Sequence, residues 1–442
     1  MIRYCLPALL LFATIGRLPA QWSQAGLFST VIHFQACAFH SLDSGLFVYG
    51  ANNPGPNPVG TEGGLLLTDD GAASGGYYVW YEPSTNLEDI DLKMVDGKPL
   101  YMAAGHELYN RSIVVRPFAF PEYPIGFDSL RTGTGRYYRA IRMRNDLVAI
   151  TAGGDQFGNG IIDMSTDTGA TWTNIAVLPG QPVSRHHFLN DQLGFAATGG
   201  YRRLNNNGVQ VPDSGAIYRT VDGGLSWQQV FADATTGFSD VEFVSAEIGI
   251  ATRNDGVFLR TVDGGTSWAP ALNTFAGNYI LTGLTFRPDG IGFATAYRTD
   301  GSAAYILASE DEGASWYFNF GTGSLNSPRR LYDVYFSDDA HGYASGHIRP
   351  LRSNGLITSE EEMEAPGAGA LFPNPADERT MLHVTQAGSM VQLFDGLGRC
   401  VWNGRAEGAG PFNIPLDHLA SGHYTIRVVS EVGVESHTLI HR

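Results

Sequence analysis

Positive charge in this chain is carried almost wholly by arginine, and it is distributed unevenly. Arg202 and Arg203, Arg253, Arg298, and then Arg349 and Arg352 recur in segments rich in Gly, Asn and Pro. Guanidinium forks brought to one rim would suit carboxylate, sulfate or phosphate groups on a glycan or a protein partner. The competing reading is ordinary solvated arginine, because Lys93 and Lys98 are the only lysines. Two further groupings raise metal chemistry. Asp155, Asn159 and Asp163 lie in G-G-D-Q-F-G-N-G-I-I-D, but their spacing fits no ordered calcium loop and reads as a turn-rich segment. His186-His187 opens an apolar run and reads as packing near a channel rather than ligation. No CxxC motif or Cys/His cluster is present, so neither a metal nor a cofactor is expected.

What could position these arginines is a repeat. The octet Ser/Thr-x-Asp-x-Gly-x-Ser/Thr-Trp occurs at Ser165–Trp172, Thr220–Trp227, Thr261–Trp268 and Ser309–Trp316. Its tryptophans are about 40 to 55 residues apart, the span of one four-stranded propeller blade. Each position has a structural task. Asp167, Asp222, Asp263 and Asp311 can close an Asx-type turn on downstream N–H groups. Gly169, Gly224, Gly265 and Gly313 permit positive φ. Trp172, Trp227, Trp268 and Trp316 can plug the gap between neighbouring sheets. The octet therefore reads as architecture rather than as a binding site.

These four octets resemble the Asp-box, or BNR, repeat of sialidases, sortilin-type receptors and photosystem II assembly-factor-like proteins. The resemblance implies a β-propeller whose boxes sit away from the ligand face. Strand-like starts near Val31, Leu87, Arg139, His186, Asp240, Leu284 and Asp333 count to seven blades. Blade one keeps a decayed box at Thr68-Asp69-Asp70-Gly71, and blade two has lost its own. Blade seven has no box, which fits an outer strand supplied by Gln21-Trp22-Ser23 to close the ring. With the box in the turn between the third and fourth strands, the loops between the second and third strands must lie on the opposite face. Those loops vary most, at 51–64, 201–215 and 347–355, and variable loops commonly carry binding residues.

The last segment has motifs of its own. L-F-P-N-P-A-D at 371–377 is followed by F-D-G-L-G-R from Phe394, then L-A-S-G-H-Y from Leu419 and a final strand-like run. This order resembles the type A C-terminal sorting domain of the type IX secretion system. The resemblance implies delivery to the outer surface by that machinery and removal of the domain there. Alternating apolar strands joined by Gly turns predict a small β-sandwich. At the other end, Met1-Ile2-Arg3, an apolar run from Tyr4 to Ile15 and Leu18-Pro19-Ala20 read as a secretory leader over 1–20. That run is too short to span a membrane as a helix.

The expected fold class is therefore all-β: a seven-bladed β-propeller over 21–358, a linker over 359–370 and a small β-sandwich sorting domain over 371–442. A net charge of −16 argues against nucleic acid and anionic membranes as partners. Cys37 and Cys400 fall in different expected domains, so no internal disulfide is expected. Catalysis of the sialidase kind would need an arginine triad, a Tyr/Glu pair and an acid. Glu242 with Tyr335 offers such a pair, but the N-terminal Arg-Ile-Pro signature of those enzymes is absent and their propeller has six blades. The functional expectation is a secreted or surface-exposed, non-catalytic binding propeller. The alternatives are a secreted glycoside hydrolase of sialidase-like or xyloglucanase-like type, or a scaffold subunit of an envelope complex.

Overall fold

The structure is a computed structural model. It describes residues 22–24, 33–41, 43–50, 62–73, 76–107, 110–117, 127–200, 202–203, 209–210, 214–272, 275, 277–322, 330–338, 341–347, 350–353, 371–372, 379–384, 388–395, 399–406, 408, 410–417, 419–430 and 433–441. The chain divides into two compact units, Met1–Ile357 and Thr358–Arg442. The leader expected over 1–20 and the linker expected over 359–370 lie outside the described residues.

The first unit is a seven-bladed antiparallel propeller: five blades are separate four-stranded sheets, and blades one and two are joined into one eight-stranded sheet by the pairing of Gly50 with Asn86. The inner strands are His33–Phe39, Thr85–Val95, Arg136–Met143, Val183–Phe188, Phe238–Phe243, Tyr279–Phe286 and Leu331–Phe336. Each packs against the next, and the seventh packs against the first. Blade seven borrows its outer strand from the N-terminal segment: Trp22 pairs with Ser353 and Gln24 with Leu351. Trp22 is buried there, its indole N–H donating to Asn319 Oδ1 at 3.0 Å and its ring edge-on to Phe293 and Phe336. The borrowed strand covers the edge of Leu351–Ser353 and ties the chain's first and last blades into one sheet.

A second repeat explains how the blades pack. In five blades the inner strand ends in Phe, and Gly stands opposite it at the start of the second strand. The pairs are Phe39–Gly45, Phe188–Gly194, Phe243–Gly249, Phe286–Gly292 and Phe336–Gly342. A Cβ on any of these glycines would lie 2.4–2.6 Å from the facing ring. The ring covers the glycine and is free to stack on the preceding blade: Phe195 on Phe243 at 3.5 Å, Phe293 on Phe336 at 4.4 Å, and, across the closing seam, Tyr343 on Phe39 at 3.5 Å.

The second unit is a β-sandwich. A three-stranded sheet (Leu371–Phe372, Arg379–Val384, Gly410–Pro415) and a four-stranded sheet (Cys400–Arg405, Met390–Phe394, Gly422–Ser430, Gly433–His441) share a core that includes Leu382, Val391, Leu393, Ile414, Ile426 and Leu439. Its motifs have visible causes. Asp395 clamps the hairpin by accepting the Arg399 N–H at 2.9 Å and the Arg399 guanidinium at 2.8 Å. Tyr424 donates its hydroxyl to the Ala420 carbonyl at 2.7 Å, pinning the corner before its strand. Cys37 is buried and Cys400 exposed, both as free thiols.

Candidate functional site

The boxes are built alike. In the first, the Ser165 hydroxyl donates to Asp167 Oδ1 at 2.8 Å and accepts the Gly169 N–H at 2.9 Å. Asp167 also accepts the Thr171 N–H at 2.8 Å and the Thr171 hydroxyl at 2.6 Å, and the Trp172 indole donates to the Gly169 carbonyl at 3.1 Å. The same bonds recur around Asp222 and Asp263, and all but the indole bond recur around Asp311. Gly169, Gly224, Gly265 and Gly313 have φ of 75°, 94°, 84° and 80°. Hydroxyl bonds from Thr171, Ser226 and Ser267, then bonds from their backbone N–H groups, hold Asp167, Asp222 and Asp263 down to a pKa of about 2. Blade one keeps the core of this turn: Thr68 donates to Asp70, and Thr68 and Asp70 accept the Ala72 and Ala73 N–H groups.

The tryptophans are less uniform than the sequence suggests. Trp316 fills the seam between blades as expected, buried and stacked on Phe258 of blade five at 4.1 Å. Trp172, Trp227 and Trp268 are only half-buried. Trp227 and Trp268 lie edge-on to Phe188 and Phe243 of their own blades. Three of the four boxes rest on the neighbouring turn between the first and second strands, through Thr168 N–H to Leu147, Gly223 N–H to Gln192 and Gly264 N–H to Glu247. All of these turns share one face.

On the opposite face the arginines separate into different situations. Arg253 ends the second strand of blade five and is closed off: it contacts Asp233 at 3.1 Å and Asp255 at 2.6 Å. Arg298 ends the second strand of blade six and, among the described residues, makes a single ion pair, with Asp300 at 3.1 Å; both side chains are about half exposed. The Arg298 guanidinium also lies in the field of Tyr279 and Tyr305, whose rings are 5.4 Å apart beside the exposed ring of Phe318. Arg202–Arg203 forms a two-residue strand paired with Val209–Gln210, and those side chains lie outside the described residues, as does Arg349. Arg352 is not in a loop: it stands within the third strand of blade seven, opposite Ser23, because the closing strand extends the sheet to that point. Among the described side chains, Arg253, Arg298 and Arg352 thus stand in different environments rather than on one open rim.

The two metal readings resolve as turn and core. Asp155 accepts the N–H groups of Phe157 and Asn159 and the Asn159 amide. Asp163 serves elsewhere, on Arg136, Tyr138 and Asn174. His186 is buried, and burial pushes its pKa well down.

A charged channel is the feature that motif reading missed. Every inner strand carries a bulge; in all but blade six the residue just after it and the one two further on line the ring, and in blade six the corresponding Gly283 lies within the bulge. The first layer contains Asp89, Arg185, Asp240 and Asp333; the second contains Asp91, Arg142, His187, Glu242 and Tyr335. The carboxylates satisfy backbone N–H groups on the channel edge of the next blade: Asp89 accepts from Ile141 at 2.9 Å, Asp91 from Met143 at 2.6 Å and Asp240 from Leu284 at 3.1 Å. Arg142 donates to Asp89 at 2.6 Å, and Arg185 to the Arg139 carbonyl at 2.6 Å. Burial raises Asp240 to about 6 and Asp333 to about 7, against the opposing pull of Arg185 and Arg142. Burial, reinforced by Asp240, also raises Glu242 well above the usual range, and burial lowers His187 to about 3. At 3.9 Å His187 and Glu242 are beyond hydrogen-bond reach, and burial disfavours the charged form of each. Tyr335 donates its hydroxyl to the Phe39 carbonyl at 3.0 Å, and burial raises its pKa.

Comparison with known proteins bears on both units. Residues 370–442 match the family described as the secretion system C-terminal sorting domain. No curated protein matches the chain. Among solved structures, "YCF48 bound to D1 peptide" is similar at 14% identity and a TM-score of 0.52, covering 78% of this chain and 99% of that one. YCF48 from Cyanidioschyzon merolae is similar at 13% identity and a TM-score of 0.51, covering 76% of this chain and 99% of that one. PorZ, a surface component of the type-IX secretion system of Porphyromonas gingivalis, aligns at 12% identity and a TM-score of 0.49, covering 93% of this chain and 59% of that one. The likeness to YCF48 is one of fold. The sorting domain marks this chain for export to the cell surface or beyond.

Proposed function

We propose that this protein is a non-catalytic binding propeller, handed to the type IX secretion machinery by its sorting domain, that captures an anionic glycan or protein ligand on the face opposite its boxes. The observation that carries this reading is Arg298. Unlike Arg253, it keeps most of its guanidinium fork outside its one ion pair, and it stands beside two tyrosines and an exposed phenylalanine. A guanidinium next to amphipathic rings suits a ligand with both a flat or apolar surface and a carboxylate or sulfate. Arg202, Arg203 and Arg349 belong to the same proposal through their place in the loops of that face. The YCF48 structure holds a peptide, so an exposed segment of a protein partner belongs among the candidate ligands. The channel pair Glu242 and Tyr335 gives no support to a hydrolase: the phenol is committed to a backbone carbonyl, and burial disfavours the ionised carboxylate that would activate it.

Binding of the full chain to sulfated and uronic-acid glycans, titrated over salt, tests the reading. Affinity should fall as ionic strength rises, because exposed charge is screened over about 8 Å at physiological salt. Absence of salt-sensitive binding to any anionic glycan or acidic peptide would contradict it. Deleting Leu371–Arg442 should block surface delivery while leaving the propeller's melting temperature unchanged; normal delivery would remove the sorting assignment.

A further inference from the structure

Blade six departs from its neighbours where it carries Arg298. Counted from the pairs Phe243–Gly249 and Phe286–Gly292, the partners Phe238 and Arg253 of blade five match Leu281 and Ala296 of blade six. The pair Tyr279–Arg298 stands two residues further out along its hairpin. The outer strand of blade five also stops early. It is Ala269–Pro270, against Gln228–Asp233 in blade four, whose last residue is the one that closes Arg253. Beyond it the chain turns to the box of blade six, where Leu272 donates to Ala314 at 3.0 Å and accepts from Trp316 at 3.2 Å. A third departure lies two residues after each box tryptophan, at Asn174, Gln229, Pro270 and Phe318, all exposed and all paired with the strand before the box. Blades three and four place an amide there; blade six places a phenyl ring that is 43% exposed. Phe318 packs on Phe275, Tyr279 and Tyr305, at centroid distances of 4.7, 5.5 and 4.9 Å. The fold accepts a polar residue at this position, so an exposed ring in one blade alone points to a ligand rather than to packing.

The hydrogen bonds at this corner show what it has left to offer. Asp300 is engaged: Oδ1 accepts the Ser302 N–H at 2.9 Å and the Ser302 hydroxyl at 2.6 Å, and Oδ2 faces Arg298. The N–H groups of Arg298, Thr299 and Gly301 are spent on the carbonyls of Ala303, Asn278 and Arg298. Arg298 Nε is covered, so the open part of the fork is at its terminal amino groups. What remains is one guanidinium, the phenols of Tyr279 and Tyr305, and the ring of Phe318. An extended peptide is gripped chiefly through main-chain bonds, and this turn has spent the N–H groups that would make them. A sugar ring is gripped by side chains, with its C–H face against an aromatic ring and its substituents on polar groups. We propose that this corner holds one anionic pyranose of a glycan chain, its C–H face on Phe318 and its carboxylate or sulfate on Arg298. A single guanidinium, partly compensated by Asp300, matches a single anionic substituent. The inference rests on the loop-face binding role proposed above and narrows its ligand from glycan or protein to glycan.

The test titrates the full chain with a polyuronate oligosaccharide and with an oligoglutamate peptide of equal charge, each over a range of salt. The oligosaccharide should bind about tenfold or more tighter than the peptide. Phe318→Gln, which installs the residue type of blade four, should lose about tenfold in affinity for the oligosaccharide and keep the wild-type salt dependence. Arg298→Gln should lose affinity and flatten the salt dependence. Phe318→Tyr, which keeps the ring, should bind like wild type. Should Phe318→Gln fail to fold, Phe318→Leu keeps an apolar group in the seam without the flat ring and should show the same loss. Wild-type affinity in the Phe318→Gln or Phe318→Leu protein, or peptide bound as tightly as oligosaccharide, would overturn the sugar assignment and leave the broader binding role standing. Absence of salt-sensitive binding to either probe would overturn both.

Discussion

On the box face, Asp167, Asp222 and Asp263 lie near the surface, each holding three or more hydrogen bonds within its own turn, and their carboxyls stay ionised down to about pH 2. In the channel, Asp240 and Asp333 lie among other carboxyls and take up protons near pH 6 and 7. The residue type is the same; local donors decide the first case and desolvation the second. The box turn repeats from blade to blade and serves each blade separately. The channel positions do not repeat in type, and they act only as a ring. Repetition thus separates what holds the propeller together from what individualises it, and the same contrast holds between the uniform boxes and the loops opposite them.

Substitutions can break or sharpen this contrast. The largest effect is expected at a box that reaches across a seam. Trp316→Ala removes a buried indole stacked on the preceding blade and should cost about 3 to 5 kcal/mol in denaturant unfolding. Trp227→Ala, at a half-buried site, should cost roughly half as much. Equal losses would mean that burial does not distinguish the boxes. Next comes Asp222→Ala, which leaves the Ser226 N–H, the Ser226 hydroxyl and the Thr220 hydroxyl without their acceptor. A loss of about 1 to 2 kcal/mol is expected near pH 7. Because box aspartates have lowered folded values, their contribution is present above the unfolded carboxyl range, near pH 4, and fades as pH falls toward about 2. The Asp222→Ala and wild-type unfolding curves should therefore converge in acid; a gap that widens below pH 4 would oppose the assignment. The smallest effect is expected at Glu312, exposed at φ 55° where the second and third boxes carry Gly223 and Gly264. Glu312→Gly should stabilise by about 0.5 kcal/mol or less, strain relief being offset by the freer unfolded chain. A clear loss would show that the Glu312 side chain contributes more than its exposure suggests.

Much of the fold was legible in the sequence, because its signals are local and repeated. The octets placed the turns, the seven strand starts placed the blades, and the missing box of blade seven pointed to Trp22 as its closing strand. Asp395, Arg399 and Tyr424 marked the sandwich because each fixes a turn close by in sequence. The channel was not legible by the same means. Asp89, Arg185, Asp240 and Asp333 occupy one layer but differ in type, and the blades between them offer Ala36, Ala140 and Gly283. A usable signal did exist: Arg185, Asp240 and Asp333 each stand three residues before the Phe that ends the inner strand. Nor could sequence alone distinguish Arg253 from Arg298, since both precede an Asp by two residues. Only the arrival of Asp233 from the outer strand of blade four closes Arg253 and leaves Arg298 open.

The most direct measurement sets Asp222→Asn beside Arg298→Gln in one binding assay against a sulfated glycan, with melting temperature recorded for both proteins. A structural box and a binding loop face predict opposite outcomes. Asp222→Asn should melt lower and bind like wild type; Arg298→Gln should melt like wild type and lose about tenfold in affinity, the equivalent of about 1.4 kcal/mol. Loss of binding in Asp222→Asn at unchanged melting temperature, with Arg298→Gln binding normally, would contradict the account.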